Sequence, residues 1–250
     1  MNQIMTSHKN AEFQDLKLSQ IYEDFNQFSE DEYFWISVIE KLGISDITDF
    51  GCWTWLLTHK LMELWYKMRW IEPARAMLLQ AMNKKGGNKV TYIEWDYRVL
   101  ENFSTDLVLM TSHVVQFIWE TEWILFLQKA YWVLEQWWYI LFDSKNPLPE
   151  PWKNYTKEKY NKTKETQFWP VNIQVETTET LWNTSEHTIY YTFESTWEQL
   201  ISRNSLIYRT KDELERSLVN VGFNIVNIYG WWDLRTYNDT CEEMIFLAKK

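Results

Sequence analysis

The sequence predicts an α/β fold: a central, mostly parallel seven-stranded sheet with helices on both faces and a small antiparallel insertion. Three observations carry that expectation. Between Asp46 and Phe142, apolar runs of strand length alternate with stretches of helical period. A glycine turn at Gly51 follows directly on the first of those runs. From Val171 to Tyr208, apolar and polar residues alternate with period two, as antiparallel strands do.

Each element has its own signal. Phe13, Leu16, Leu18, Ile21, Tyr22 and Phe25 recur at helical spacing and predict an N-terminal helix over 9–28. Ser29 and Glu32 have capping-box spacing before a second helix, which Gly43 ends after Leu42. Asp46–Phe50 is the first strand, with a helix from Thr54 to about Leu64. Tyr66–Ile71 is the second strand, closed by Glu72-Pro73, and a helix spans Ala74–Asn83. The turn at 84–88 leads to a third strand, Val90–Glu94; Thr105–Thr111 is the fourth. A helix over Glu120–Leu134 precedes a fifth strand, Tyr139–Phe142.

Asp143–Pro170, rich in Lys, Asn, Pro and Tyr, reads as a long loop or lid with a helix around Thr156–Thr166. Val171–Leu181, Glu186–Phe193 and Glu198–Tyr208 are antiparallel strands, with a turn at Asn183-Thr184-Ser185. Thr210 and Glu213 cap a helix to Val221, and Phe223–Tyr229 and Met244–Ala248 supply the last strands. The expected organisation is a single domain, 1–250. It comprises N-terminal helices (1–43), a ligand-binding core (44–143), a loop and antiparallel cover (144–209), and a C-terminal helix with the last strands (210–250).

Composition narrows the function. A chain of 250 residues can bury a full core. Its net charge of −10 disfavours a nucleic-acid partner, since phosphate binding wants a basic face. Cys52 and Cys241 are far apart, with neither metal nor disulfide spacing, which fits a reducing cytoplasm. No signal peptide and no membrane span is expected: the most apolar stretch, Tyr131–Phe142, is interrupted by Glu135 and Gln136.

In an open α/β sheet, ligands lie beyond the carboxyl ends of the strands. Asp49 and Gly51 close strand one, Glu72 strand two, Asp96 follows strand three, and Thr111-Ser112-His113 follows strand four. This spacing resembles the class I S-adenosylmethionine (SAM) dependent methyltransferases, whose first motif is an acid followed by G-x-G-x-G. The resemblance runs from about Asp46 to Phe142, with the Gly222-Phe223 strand entry added. It implies a Rossmann-like class I methyltransferase fold, SAM as cofactor and a small-molecule methyl acceptor. It also implies cofactor contacts from Asp49, Gly51, Cys52, Thr54, Glu72, Pro73, Asp96, Tyr97, Thr111 and Ser112. Glu72 would hold the ribose hydroxyls, and Asp96, with Tyr97 beside it, the adenine. His113 is the candidate general base, against the plainer reading of a histidine that shapes the substrate site. Many transfers in the family need only proximity and orientation. Asp49 and Glu72 also admit a plainer reading, as a cap and a solvated strand end.

One departure stands out. Average glycine usage of about 7% would give roughly 17 glycines; the chain has 6, and 17 tryptophans. Trp53, Trp55, Trp65, Trp70, Trp95, Trp137 and Trp138 stand where the family pattern has glycine. Indoles at Trp53, Trp55 and Trp95 are expected to crowd the cofactor and weaken its binding. Two other functions fit the sequence less well: a non-catalytic binding protein on the same fold, and a dinucleotide-dependent oxidoreductase.

Overall fold

The computed structural model describes residues 5–51, 56–84, 86–94, 96–100 and 103–250. Its centre is a seven-stranded sheet built from β2 (Asp46–Phe50), β3 (Lys67–Ile71), β4 (Thr91–Ile93), β5 (Thr105–Met110), β6 (Leu134–Lys145), β11 (Asn224–Tyr229) and β12 (Glu243–Lys249). The order across the sheet is β11-β12-β6-β5-β2-β3-β4. β12 runs antiparallel to both of its neighbours, and the β2–β6 pairings are parallel.

Strand alternation sends side chains to two faces, and each face carries its own core. On one, Val108, Met110, Ile140 and Phe142 pack under α6 (Glu120–Val133) and α7 (Lys211–Val221) through Trp123, Phe126, Leu214 and Leu218. On the other, Ile47, Leu107, Leu109 and Leu141 meet α3 (Glu30–Leu42), α4 (Leu56–Glu63) and α5 (Arg75–Met82) through Trp35, Ile39, Leu61 and Leu78. The two expected capping boxes are formed, Ser29 with Glu32 on α3 and Thr210 with Glu213 on α7, and Gly43 ends α3 at φ 67°.

A second, five-stranded sheet lies over the carboxyl rim of the first. It has the order β1-β10-β9-β8-β7, with β1 (Met5–Lys9), β7 (Asn161–Thr166), β8 (Trp169–Leu181), β9 (Thr184–Phe193) and β10 (Glu198–Ile207). Its strands β7 to β10 are antiparallel, whereas β1 joins parallel to β10. Val171, Ile173, Val175 and Phe193 from this sheet bury Leu18 and Ile21 of α2 (Leu16–Phe25).

Four expectations about elements are corrected. The single helix over 9–28 is replaced by β1, a short helix α1 (Ala11–Gln14) and α2. Asp15 breaks the helix by going extended, and its carboxylate accepts the backbone N–H of Lys17 and Leu18 as the N-cap of α2. The segment around Thr156–Thr166 is no helix; Asn161–Thr166 pairs antiparallel with β8, which its β-branched Thr163 and Thr166 favour. The β8–β9 turn sits at Trp182-Asn183, since Leu181 already pairs with Thr184. Strand five is also longer than expected, reaching Lys145, so that Asp143 is a buried strand residue rather than the start of a loop.

Candidate active site

Two cavities open at the carboxyl ends of the parallel strands. The smaller, about 260 Å³, is lined by Gly51, Glu72, Pro73 and Asp96, with Phe13 and Phe117 as apolar walls. The larger, about 550 Å³, lies between α2, the second sheet and the loop after β5; Tyr22, Phe25, Ser112, His113, Lys145, Tyr155, Tyr160 and Tyr208 line it. Phe117 touches both, so the segment 113–118 is the partition between them.

Gly51 turns out of β2 at φ 71°, and its N–H donates to the Ile71 carbonyl at 2.9 Å, which brings the two strand ends together. Glu72 is buried; its Oε1 accepts the Ala74 N–H at 2.8 Å. Burial, helped by the nearby Asp49 charge, pushes its carboxyl up to about 8. Asp96 stays ionised because Arg98 grips it, at 2.8 and 2.9 Å from Nε, and holds its carboxyl below the usual range.

Of the sequence-derived cofactor residues, Gly51, Glu72, Pro73 and Asp96 therefore meet around one cavity. Asp49 and Thr111 are buried and line neither cavity; Asp49 accepts a hydrogen bond from Thr58 Oγ1 at 2.5 Å. Ser112 lines the larger cavity beside His113. Cys52 and Thr54, with Trp53, Trp55 and Trp95, lie outside the described residues, and of Tyr97 only the backbone, in a 3-10 turn, is described.

His113 has far more structure around it than the sequence revealed. Ser112 and His113 are both left-handed, at φ 58° and 60°, a conformation that costs non-glycine residues on the order of 1–3 kcal/mol each and clusters at functional sites. The buried Asp143 carboxylate accepts the His113 backbone N–H, at 3.1 Å to each oxygen. His113 Nε2 lies 2.8 Å from Glu243 Oε2 and 3.2 Å from Asp143 Oδ2. Lys145 completes the cluster through an ion pair with Glu243 Oε1.

The charges tune one another. Burial alone would depress the His113 imidazole, but the Glu243 and Asp143 carboxylates outweigh it and hold the ring above its ordinary value. Burial pushes Asp143 up to about 6. Glu243 goes the other way: against burial, His113 and Lys145 hold it below its ordinary value. Asp143, Lys145 and Glu243 escaped sequence reasoning because only cross-strand pairing unites them. In the β6–β12 register Glu243 stands opposite Lys145, and Ile245 opposite Asp143.

No protein-family model and no curated protein sequence matches the chain. Solved structures do match over nearly its whole length. A SAM-dependent methyltransferase from Clostridium acetobutylicum superposes with a TM-score of 0.74 at 15% identity, covering 93% of this chain and 97% of that one. The fold is that of the SAM-dependent methyltransferases. The CcbJ methyltransferase from Streptomyces caelestis gives 0.75 at 14% identity, with 97% and 99% covered. CalS10 from Micromonospora echinaspora, an amino pentose methyltransferase solved with SAM bound, gives 0.68 at 15%, with 92% and 96% covered. No described helix is long and apolar enough to cross a membrane.

Proposed function

We propose that the chain transfers a methyl group from SAM to a small-molecule acceptor, with SAM in the smaller cavity and the acceptor in the larger. The observation that carries this reading is the pair of adjoining cavities at the carboxyl rim. One holds the strand-end acids Glu72 and Asp96, the other His113, with Phe117 between them. The larger cavity mixes aromatic rings with Lys145, Lys162, Asp31 and Glu32, which suits a polar acceptor with apolar faces. Neighbours of this fold include an amino pentose methyltransferase and a sugar N-methyltransferase, which supports an acceptor of that size and polarity.

SAM would supply an electrophilic methyl group on a sulfonium that leaves readily. The chain's own part is to orient and to move a proton. Gly51 leaves room beside the strand end, Glu72 meets the ribose hydroxyls, and Asp96 borders the adenine. His113 takes the proton that the acceptor loses. Cys52, Thr54, Pro73 and Tyr97 complete the cofactor side in this reading; Asp49 and Thr111, buried at their strand ends, back the site without lining it, and Ser112 faces the acceptor's cavity.

The smaller cavity lies below the roughly 300–1,000 Å³ usual for ligand sites, and from the sequence SAM binding is expected to be weakened by Trp53, Trp55 and Trp95. Thermal melts with and without millimolar SAM test both statements, on this chain and on Trp53→Gly/Trp55→Gly. The expected result is little shift for this chain and a clear rise for the glycine variant, since ligand at 100 times its Kd adds about 2.7 kcal/mol. If neither melt moves with SAM while NAD raises one, the site belongs to a dinucleotide enzyme instead.

A further inference from the structure

The cluster around His113 does more than fill a sheet edge. Nε2 is engaged by Glu243 and Asp143, and Nδ1 makes no hydrogen bond to any described residue. The ring keeps about a quarter of its side chain exposed and borders the larger cavity. An Nε2 held by two carboxylates carries the proton, so the neutral ring presents a lone pair at Nδ1.

We propose that Glu243 and Asp143 are positioning residues that hold His113 as its Nε2–H tautomer, leaving Nδ1 to accept the proton released by the methyl acceptor. This rests on the methyltransferase reading. In the step, the acceptor's N–H or O–H bond breaks and Nδ1–H forms; the acceptor's electron pair takes the methyl group, and the sulfonium leaves as the neutral thioether. The imidazolium so made sits between Glu243 and Asp143, and Lys145 keeps Glu243 ionised. Other titratable groups around the cluster are Tyr155, which the Lys145 and Glu243 charges reach, and Tyr160 and Glu242, whose charges also act on Tyr155. A divalent cation held by His113, Asp143 and Glu243 is the rival arrangement, since their ligand atoms all lie within 4.8 Å. Lys145 counts against it, being a cation already bound to Glu243.

The chain has 4 histidines, so long-range nitrogen–proton correlation spectra resolve each ring. His113 is expected to titrate above the ordinary value of about 6.5 and, when neutral, to show a protonated Nε2 and a bare Nδ1. In Glu243→Gln its midpoint should fall by about one unit or more, as loss of an adjacent charge predicts, and the two tautomers should mix. The unsubstituted chain decides the matter alone should the variant not fold. A neutral His113 protonated at Nδ1, or mixed already in the unsubstituted chain, overturns the proposal. So does one equivalent of Zn²⁺ that broadens this ring alone. Neither measurement needs SAM or an acceptor, so failure here is distinct from failure of the methyltransferase reading.

A second, independent observation concerns the tryptophans. Among the described residues, Trp65, Trp137, Trp169, Trp182 and Trp197 have φ of 72°, 83°, 70°, 56° and 58°, a region bulky residues avoid. Each sits where glycine is the usual solution. At the end of α4, the Trp65 N–H donates to Met62 O and the Tyr66 N–H to Leu61 O. The end of α7 is closed by the same pair of bonds, but there the left-handed residue is Gly222. Trp137 lies at the bulge where the β5–β6 register slips. Trp182 opens a two-residue hairpin loop, and Trp169 and Trp197 end the turns into β8 and β10.

We infer that these positions, with Trp53, Trp55, Trp70, Trp95 and Trp138, are glycine in the polypeptide as its own cells make it. The inferred cause is a codon, such as UGA, that one genetic code reads as tryptophan and another as glycine. The 6 glycines together with these ten make 16, beside the roughly 17 expected at average usage. Trp35 and Trp123 are a different class: both are buried within helices, and Trp123 Nε1 donates to Ser217 Oγ at 2.9 Å. Trp70, as deeply buried but near the end of β3, leaves its Nε1 without a hydrogen-bond partner among the described residues. Peptide mass spectrometry of the chain from its own cells is expected to find glycine at the ten positions and tryptophan at Trp35 and Trp123. Tryptophan at the ten, or one and the same codon at all 17, overturns the inference.

Discussion

Replacing Trp65, Trp137, Trp169, Trp182 and Trp197 together with glycine is expected to raise the melting temperature by roughly 5–20 °C. A left-handed backbone costs a residue with a Cβ about 1–2 kcal/mol, and glycine escapes that cost. Glycine's greater freedom in the unfolded chain takes back roughly 0.5–1 kcal/mol at each site. Little packing is lost, because Trp65 and Trp182 are 91% and 94% exposed, and the other three are mostly exposed. Trp137 alone gives up a cation contact, with Lys249 Nζ 5.0 Å from its ring centre. The five positions lie in four separate turns or helix ends and one bulge, so the gains should nearly add, to roughly 2–5 kcal/mol. In a chain of this size each kcal/mol is worth about 2–4 °C. Differential scanning calorimetry reads the result; an unchanged or lowered transition would show that the indoles are accommodated without strain.

Glu72→Gln is expected to stabilise the chain by roughly 2–5 kcal/mol at pH 8 and by nothing at pH 4.5. The sign follows from burial. The folded carboxyl releases its proton only at about 8, the unfolded one at 4.5. Between those values the folded chain holds a proton that the unfolded chain has lost, so stability declines as pH rises through the window. Below 4.5 both states are protonated and no difference remains. Glutamine cannot ionise, yet its Oε1 can still accept the Ala74 N–H. Urea denaturation at pH 4.5, 6 and 8 should show the variant's advantage growing with pH. An equal advantage at all three would point to packing instead. Asp143, raised to about 6, and Glu32, raised to about 7, give both chains a further decline in the same direction.

The central sheet was legible because its signals are local. An apolar run of strand length, a glycine or acid at its end and a helix after it are all contiguous, and Asp46–Phe50, Lys67–Ile71 and Thr105–Met110 fall within a residue or two of expectation. The same locality gathered Gly51, Glu72 and Asp96 at one rim. β1 was illegible, since its partner β10 lies almost two hundred residues away. β7 was hidden by a lysine- and threonine-rich composition that reads as loop until β8 pairs with it. The His113 cluster was lost for a related reason. Asp143 follows the apolar run of one strand and Glu243 opens another, and no spacing within either segment shows that they face one histidine.

The reversed direction of β12 has a temporal meaning. Parallel strands offer this rim only their final residues, but an inverted strand delivers its first, which is how Glu243 arrives beside His113. During synthesis the parallel strands β2 to β6 and the whole cover can be complete while the histidine still has Asp143 as its sole carboxylate partner in the cluster; β11, whose one described neighbour in the sheet is β12, waits for it as well. The His113 cluster is therefore closed only after the cover has been made, and a chain halted before Glu243 would carry both cavity linings with the histidine lacking that carboxylate.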